Sequence, residues 1–210
     1  MLSGFAQVVP LAFASGLNVY ATVAVLGLCA HYQLVDLPPQ FRAFDHPAII
    51  AAALVMYAVE FVADKIPWFD SVWDAVHTIV RPIGGALVAA TALGAASPLA
   101  TALAALLGGS IAMTTHVTKA GTRAAANTSP EPFSNWALSV GEDVVAVGIS
   151  YAALNHPIAA AAVAIVLLAL FIATASVIVG WVRRRFARRN HEDTKTREDT
   201  KFPLTRNSSS

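Results

Sequence analysis

The feature that most constrains this chain is a succession of six apolar segments separated by short polar connections. They cover approximately residues 4–33, 47–66, 82–97, 98–119, 134–154 and 157–182. Because the hydrocarbon core of a bilayer is about 30 Å thick, roughly 20 apolar helical residues are needed to cross it. The pattern therefore predicts an all-α, polytopic transmembrane bundle of about six spans that occupies residues 1–182.

The composition agrees with a membrane location. Apolar residues make up 56% of the chain, while Asp, Glu, Lys and Arg together make up 13%. Soluble domains carry about 25% charged residues. This balance excludes a disordered chain and disfavours a water-soluble globule. We expect the lipid bilayer to be the main partner of the chain, and leave open whether it forms a homo-oligomer.

Between the second and third segments, residues 68–81 predict a short interfacial helix. Apolar side chains recur there on one helical face, and Asp70, Asp74 and His77 are interspersed. Helices with this amphipathic pattern typically lie along the membrane surface.

Basic residues are concentrated at the C-terminus. Residues 183–210 contain nine basic and four acidic side chains, although the whole chain has a net charge of only +1. Because this tail directly follows an apolar segment, we interpret it as a cytoplasmic anchor at anionic headgroups rather than as a nucleic-acid site. Its polar, unpatterned sequence predicts that it is largely disordered.

The distribution of basic residues also predicts the orientation. Six spans place both termini on one side, and the basic tail assigns that side to the cytoplasm of a bacterial inner membrane. The connections on the same side hold the basic residues Lys65, Arg81, Lys119 and Arg123, whereas the opposite connections hold only Arg42.

Small and polar residues interrupt the first and fourth segments, at residues 15–18, 108–110 and 114–123. A shift of 105 positions aligns Gly4 with Gly109. These features predict an inverted 3+3 repeat with two broken helices, an architecture of many secondary transporters. The alternative is that the glycines only allow close helix packing.

Acidic residues within the apolar segments are the strongest functional signal. Glu60 lies inside the second segment, and Glu142 and Asp143 lie inside the fifth. Each ionised side chain near the bilayer centre costs about 2.5–3.5 kcal/mol. Because Asp64 follows Glu60 by four residues on one helix face, the two carboxylates are placed to share a proton. With Asn18, these acids predict a proton-coupled cation site.

Two alternatives remain for the same residues. Lys119 and Arg123, also four residues apart, are suited to neutralise the acids structurally or, with helix N-termini, to bind an anion. Under the structural alternative the protein has a structural or lipid-handling role and transports nothing. His116 is a further candidate for the site. Enzymatic and zinc-binding motifs are absent, so we expect neither an enzyme nor a cofactor.

Several segments together resemble a family of small bacterial membrane proteins known as domain-of-unknown-function 4126. The matching segments are residues 15–22, 60–77, 119–123, 127–135 and 142–143. The resemblance implies an integral membrane protein and supplies no activity or site residues. From the residues themselves, we predict a small secondary transporter for an inorganic cation or other small solute.

Overall fold

The structure is a computed structural model that describes residues 2–126 and 132–201. These residues form seven α-helices and one short 3-10 helix, and they contain no strand, which confirms the all-α prediction. The helices are α1 (Leu2–Leu17), α2 (Val19–His31), α3 (Pro47–Ala63), α4 (Pro67–Leu93), α5 (Pro98–Ala126), α6 (Pro132–Asn155) and α7 (Pro157–Lys201). The 3-10 helix, Pro39–Phe44, lies between α2 and α3.

Among the described residues, four segments are long and apolar enough to cross a membrane. They are Phe69–Leu93, Pro98–Ala124, Trp136–Asn155 and Pro157–Val177. Three shorter apolar helical segments accompany them, namely Gly4–Leu17, Val19–His31 and Pro47–Ala63. The chain is therefore a multi-pass, helical membrane protein. These lengths do not confirm the predicted count of six spans.

α1 is the central helix of the bundle. Leu11 and Phe13 are completely buried, and the Phe13 ring packs edge to face on Phe171 of α7, with 5.3 Å between ring centroids. At its C-terminal end, Gly16 lies so close to α5 that an added Cβ would be 2.6 Å from the Ala112 carbonyl oxygen. This packing places the end of α1 deep inside the protein.

The first predicted span, residues 4–33, is interrupted at Asn18, which confirms the predicted break. Asn18 has extended backbone (φ −154°, ψ 101°) between α1 and α2. Its Nδ2 donates to Asp143 of α6 at 2.9 Å, while Gln7 Nε2, eleven residues earlier in α1, donates to the Ala153 carbonyl at 3.2 Å. Going back along α1 from Asn18 therefore leads toward the C-terminal end of α6.

Going forward along α2 leads toward the same end. Thr22 Oγ1 lies 3.3 Å from Ser150 Oγ of α6. Farther along, Leu26 and Cys29 of α2 join one apolar cluster with Leu11 of α1. The two helices thus form a hairpin that turns at Asn18 inside the bundle, rather than one interrupted crossing. We call it the α1–α2 hairpin.

The ends of the bundle follow from the same contacts. Gly4, near the start of α1, packs against Ala92 and Leu93 at the end of α4. The Phe171 carbonyl of α7 accepts a 3.5 Å hydrogen bond from Thr118, which lies toward the other end of α5. The start of α1 and the later part of α7 therefore lie at opposite ends of the bundle, and the side of the membrane on which each terminus lies stays a prediction.

Residues 68–81 do not form a separate interfacial helix. They are the first half of α4, which continues to Leu93 with Pro82 inside it. Asp70, Asp74 and His77 are buried rather than solvated, because they face charged and polar groups of neighbouring helices. Residues 68–81 form an amphipathic helical segment, but its polar face packs against neighbouring helices.

The predicted interruption of the fourth span is wrong as well, because α5 is one continuous helix. The small residues allow close packing instead: a Cβ added to Gly108 would overlap Ala89 and the Gly85 carbonyl of α4. Small residues at helix contacts commonly have this role in membranes. Within the described ranges a broken helix is therefore present in the first half of the chain only, and the inverted repeat stays a prediction.

α7 continues beyond the predicted domain boundary at residue 182. Its backbone is helical to Lys201, where the sequence predicted disorder for the tail. Arg, Lys and Glu have favourable intrinsic helix propensity, which is consistent with this continuation. Residues 202–210, the remainder of the predicted tail, lie outside the described residues, as do residues 127–131 of the resemblance motif.

Candidate functional site

Three basic side chains are buried around the turn of the α1–α2 hairpin. Arg81 belongs to α4, and Lys119 and Arg123 belong to α5; each is at most 1% exposed. The sequence had placed all three in cytoplasmic connections, and this is wrong because α4 and α5 are longer than the predicted spans. We call these side chains, together with the carboxylates around them, the charged network; the carboxylates are Glu60, Asp64, Asp70, Asp74, Glu142 and Asp143.

Arg81 connects α4 with α1, α3 and α5. Its Nη2 donates to Glu60 Oε1 at 2.6 Å, and its Nη1 donates to the Gly16 carbonyl of α1 at 3.2 Å. The same Nη1 lies 2.8 Å from Nδ1 of His116 in α5. Asp74, on its own helix, is farther away, at 3.9 Å.

The contacts of His116 fix its tautomer. A guanidinium group only donates hydrogen bonds, so Nδ1 of His116 must accept the one from Arg81. The proton then lies on Nε2, which is 3.1 Å from the Asp74 carbonyl oxygen and 3.2 Å from Thr78 Oγ1. His116 is therefore neutral in this arrangement, and adding a proton to Nδ1 would break its contact with Arg81.

Lys119 lies at the centre of the charged network. Its Nζ donates to the Leu17 carbonyl at 3.0 Å. Three carboxylate oxygens also lie within 3.5 Å, from Glu60, Asp64 and Glu142. One ammonium group is thus shared among α1, α3 and α6, which are far apart in the sequence.

Arg123 is surrounded most completely. Its Nη2 lies 2.7 Å from both Asp64 Oδ2 and Glu142 Oε2, and its Nη1 lies 2.8 Å from Asp70 Oδ1. Nη1 also donates to the Asp64 backbone carbonyl at 3.2 Å. Three carboxylates from three separate parts of the chain therefore converge on one guanidinium group.

The hairpin turn contributes backbone groups to the same region. The last carbonyl groups of a helix have no partner within it and carry partial negative charge. At the end of α1, the Gly16 carbonyl accepts from Arg81 and the Leu17 carbonyl accepts from Lys119. Asn18 then caps α2, because its Oδ1 accepts from the Ala21 amide at 2.9 Å. The break in the helix is stabilised by the charged network itself.

His77 lies on the other side of Arg81. Its Nδ1 is 2.8 Å from the Trp73 carbonyl, and its Nε2 is 3.1 Å from the Tyr20 hydroxyl of α2. Since a carbonyl only accepts, Nδ1 carries a proton and the neutral ring accepts from Tyr20. His77 and His116 therefore carry opposite tautomers within one layer of the protein.

Negative charge exceeds positive charge in the charged network. Six carboxylates surround three basic side chains, a formal excess of three negative charges within the charged network, and Lys65 after α3 also interacts electrostatically with Asp64 and Asp143. Several buried carboxylate oxygens also have no hydrogen-bond partner there, namely Glu60 Oε2, Asp64 Oδ1, Asp74 Oδ1 and Asp143 Oδ2. Uncompensated buried charge is costly, so the excess calls for protons or a bound cation.

The structure brings together all seven residues that the sequence singled out: Asn18, Glu60, Asp64, Lys119, Arg123, Glu142 and Asp143. Five of them share ion pairs, namely Glu60, Asp64, Lys119, Arg123 and Glu142, and Asn18 donates a hydrogen bond to Asp143. Asp143 differs, because within the described part of the chain it pairs with no basic residue and only accepts from Asn18. Whether any of the seven binds a ligand stays a prediction.

Sequence reasoning missed the contribution of α4. Four polar residues of α4 are spaced by four, three and four positions, namely Asp70, Asp74, His77 and Arg81. This spacing places them on one face of a helix. Had residues 68–93 been interpreted as one helix, this stripe would have indicated a buried polar face. His116 was a candidate and contacts Arg81 of the charged network, whereas His31, the last residue of α2, pairs with Asp45 in an exposed position.

No group of three or more His, Cys, Asp or Glu side chains in the described ranges is arranged to hold a metal ion. A cavity of about 730 Å³ does lie against the charged network. Lys119 and Glu142 are its charged lining residues, Thr118, Thr122 and Thr174 add hydroxyl groups, and apolar side chains of α1, α6 and α7 complete its lining.

Comparison with known proteins gives one match. The family model described as "Domain of unknown function (DUF4126)" matches residues 5–176. No curated protein and no solved structure matches the chain.

Proposed function

Because the chain belongs to the DUF4126 family, whose description assigns no activity, its function must be inferred from the site; we propose that it is a small, proton-coupled secondary transporter of a cation or another small solute, and not an enzyme. The observation that carries this proposal is the excess of three formal negative charges in the charged network.

Stability alone does not explain this excess. An ion pair needs one carboxylate per basic group, and each additional buried carboxylate adds a desolvation cost that a shared basic group offsets only in part. Three unbalanced charges at about 2.5–3.5 kcal/mol each approach the whole stability of a domain. Binding of protons in one state and of a cation in another would neutralise the excess negative charge of these carboxylates and would explain why it is present.

The helix break supports the same proposal. Exposed backbone groups within a membrane are tolerated only where protein or a wet cavity surrounds them. Transporters use such breaks to bring carbonyl groups and helix ends to a binding site near the middle of the membrane. In this chain the Gly16 and Leu17 carbonyls and the Asn18 side chain would serve that purpose, beside Lys119 and Asp143.

Asp143 is the best candidate for the titrating group. Its Oδ1 accepts from Asn18, while its Oδ2 is buried without a partner. A proton on Oδ2 would remove an isolated negative charge without breaking an ion pair. Glu60, Asp64 and Glu142 each hold a basic side chain, so protonation there would loosen the bundle.

The orientation follows from the basic residues that remain outside the charged network. Lys65, after α3, and the part of α7 that carries the first arginines of the tail lie toward the end of the bundle opposite the start of α1. The positive-inside rule assigns that end to the cytoplasm, here of a bacterial inner membrane. The start of α1 then lies on the other side, and the bundle has five crossings plus the α1–α2 hairpin.

The test is flux through purified protein in proteoliposomes that contain a pH-sensitive dye. Gradients of Na⁺, K⁺, Mg²⁺, Ca²⁺ and Mn²⁺ are applied one at a time, and we expect one of them to change the internal pH. Asp143→Asn should abolish that change, while Asp36→Asn, at an exposed position, should preserve it. Equal pH changes in wild type and Asp143→Asn would contradict proton coupling through this residue.

The structural alternative also has a specific observation in its favour, because each basic side chain of the charged network contacts carboxylates from other helices. Such pairs can hold helices in register without transport. Under anion transport, the remaining alternative, Arg123→Gln should abolish flux while Glu60→Gln preserves it. A double-mutant cycle of Glu60 and Arg81, combined with the flux of Glu60→Gln, separates the structural role from transport.

A further inference from the structure

The cavity beside the charged network has a chemistry of its own. Its volume, about 730 Å³, lies within the range of small-molecule sites. Phe13 and Leu17 of α1, Val145 of α6, and Leu167 and Phe171 of α7 give it mostly apolar walls. Such walls favour hydrocarbon, and a small hydrated ion would gain nothing from them.

The carboxylate of Glu142 lines this cavity and has one oxygen that is available to accept a hydrogen bond from a ligand. The Glu142 side chain is 11% exposed, and its ion pairs with Lys119 and Arg123 both use Oε2. Within the described residues, Oε1 of Glu142 has no basic partner. Lys119, by contrast, already contacts a backbone carbonyl and three carboxylates, so its Nζ is fully engaged.

We propose that this cavity binds a small amphiphilic organic cation, with its ammonium group at Glu142 Oε1 and its hydrocarbon part between α1, α6 and α7. Charge complementarity favours a cation, because the charged network behind Glu142 has a surplus of carboxylates. An ammonium group can donate to Oε1, whereas a carboxylate or phosphate group would face the same surplus and be repelled.

The polar end of the cavity also argues against a membrane lipid as the occupant. A phospholipid acyl chain that filled the cavity would lie against Glu142 and Lys119 as well as against the apolar walls. Placing hydrocarbon against charged groups removes their solvation without replacing it. A molecule that carries an ammonium group at one end of a short hydrocarbon part satisfies both kinds of lining.

Binding can be tested without altering the charged network, because α6 offers two matched glycines. Gly141 lines the cavity and Gly148 does not, and a Cβ added to either would meet no atom within 4 Å. Gly141→Leu therefore fills the cavity without a backbone clash, and Gly148→Leu adds the same side chain elsewhere on the helix. Both substitutions also replace glycine by a better helix former.

The probe is 4-phenylbutylammonium, titrated calorimetrically into the full chain in nanodiscs, with empty nanodiscs as the background. 4-Phenylbutanol and 5-phenylpentanoate are the neutral and anionic counterparts. We expect the ammonium compound to bind at least about tenfold more tightly than either counterpart, and Gly141→Leu to weaken it by about tenfold or more. Gly148→Leu should bind like the wild type.

Equal binding of the alcohol would overturn the role of Glu142, and wild-type binding by Gly141→Leu would overturn the cavity as the site. The assignment of this cation as a substrate class rests on the proposed transport function. A second measurement therefore distinguishes binding from transport. If 4-phenylbutylammonium binds but does not enter proteoliposomes, transport of this class is wrong and the binding site stands. If it does not bind while an inorganic cation moves protons, the cavity proposal is wrong and transport stands.

Discussion

The two sides of the charged network differ in how completely their carboxylates are neutralised. Around Arg123, three carboxylates lie within 2.8 Å of a guanidinium nitrogen. Around Asp143, the only hydrogen-bond donor among the described residues is the neutral amide of Asn18. Both sides are buried, and both join α6 to other helices.

This difference separates two uses of buried charge. A guanidinium group held by several carboxylates has one low-energy arrangement, so it is suited to fix helices in place. A carboxylate with one neutral partner and one free oxygen changes protonation at a smaller structural cost. We therefore expect stability to depend on the Arg123 side and proton coupling to depend on the Asp143 side.

The largest expected effect is on the Arg123 side. Arg123→Met leaves Asp64, Asp70 and Glu142 without their shortest basic contact. Removing one member of a buried pair costs about 3–5 kcal/mol, because the remaining charge is left uncompensated. The free energy of unfolding, measured by SDS titration in mixed micelles, should fall by that amount.

Arg184→Met, at an exposed position on α7, is the matched control and should leave stability unchanged. If Arg123→Met were as stable as this control, the carboxylates around Arg123 would not depend on it, and the contrast between the two sides would disappear.

The next effect concerns the pair of Glu60 and Arg81, which are 2.6 Å apart. Glu60→Gln and Arg81→Met should each destabilise, and the double variant should recover part of the loss. Directly contacting residues have coupling energies of about 0.5–3 kcal/mol, and we expect a value in the upper half of this range. The free energies of unfolding of the four proteins give the coupling.

Combining Arg81→Met with Asp36→Asn provides the control cycle, because Asp36 has no contact with the charged network and the effects should add within about 0.5 kcal/mol. Additivity in the Glu60 cycle would show that this short contact contributes nothing specific. Strong coupling together with normal flux in Glu60→Gln would favour a structural role for this pair.

The candidate residues could be predicted from the sequence because charge within an apolar segment is expensive. Glu60, Glu142 and Asp143 stood out for that reason, and the spacing of Lys119 and Arg123 identified their partners. In the structure these residues converge. The cost of burying charge in hydrocarbon singles out each of these residues by itself.

The contribution of α4 could not be recognised by the same reasoning. An amphipathic segment buries its apolar face either against a membrane surface or within a bundle, and periodicity does not distinguish the two. The sequence placed Asp70 and Asp74 on a helix along the membrane surface. In the structure they face Arg123 and the region of Arg81. Only the positions of the neighbouring helices decide between these arrangements.

Small residues were similarly ambiguous. Residues 15–18 break a helix, whereas Gly108 and Gly109 lie within one, although both segments have the same kind of composition. In the first segment Asn18 caps the next helix, and Arg81 and Lys119 satisfy the freed carbonyls. In α5, Gly108 packs against α4. A break needs partners for its backbone groups, and those partners come from distant parts of the sequence.

A smaller effect is expected at the hairpin turn, which lies between the two sides. Asn18→Ala removes the cap of α2 and the donor to Asp143. Loss of an N-cap costs about 1 kcal/mol, measured as the change in the free energy of unfolding. Asn155→Ala, which removes an exposed asparagine contact at the end of the same bundle, should cost less.

Asn18→Asp refines this test, because an aspartate retains the capping oxygen but faces the Asp143 carboxylate. It should be less stable than Asn18→Ala if Asp143 is ionised and nearly as stable as the wild type if Asp143 is protonated. Equal stability of all three proteins would show that the turn does not depend on residue 18.

The smallest expected effect on stability is that of Asp143→Asn. The amide has the same shape as the carboxylate and its oxygen still accepts from Asn18 Nδ2, so only one charge without a basic partner is lost. The free energy of unfolding should change by less than about 1 kcal/mol, and it rises if the ionised form is strained in the wild type. A loss as large as that of Arg123→Met would place Asp143 among the residues that hold the bundle together. A small change in the free energy of unfolding together with abolished proton flux would distinguish the two sides of the charged network. Asp143 would then contribute least to stability and most to activity.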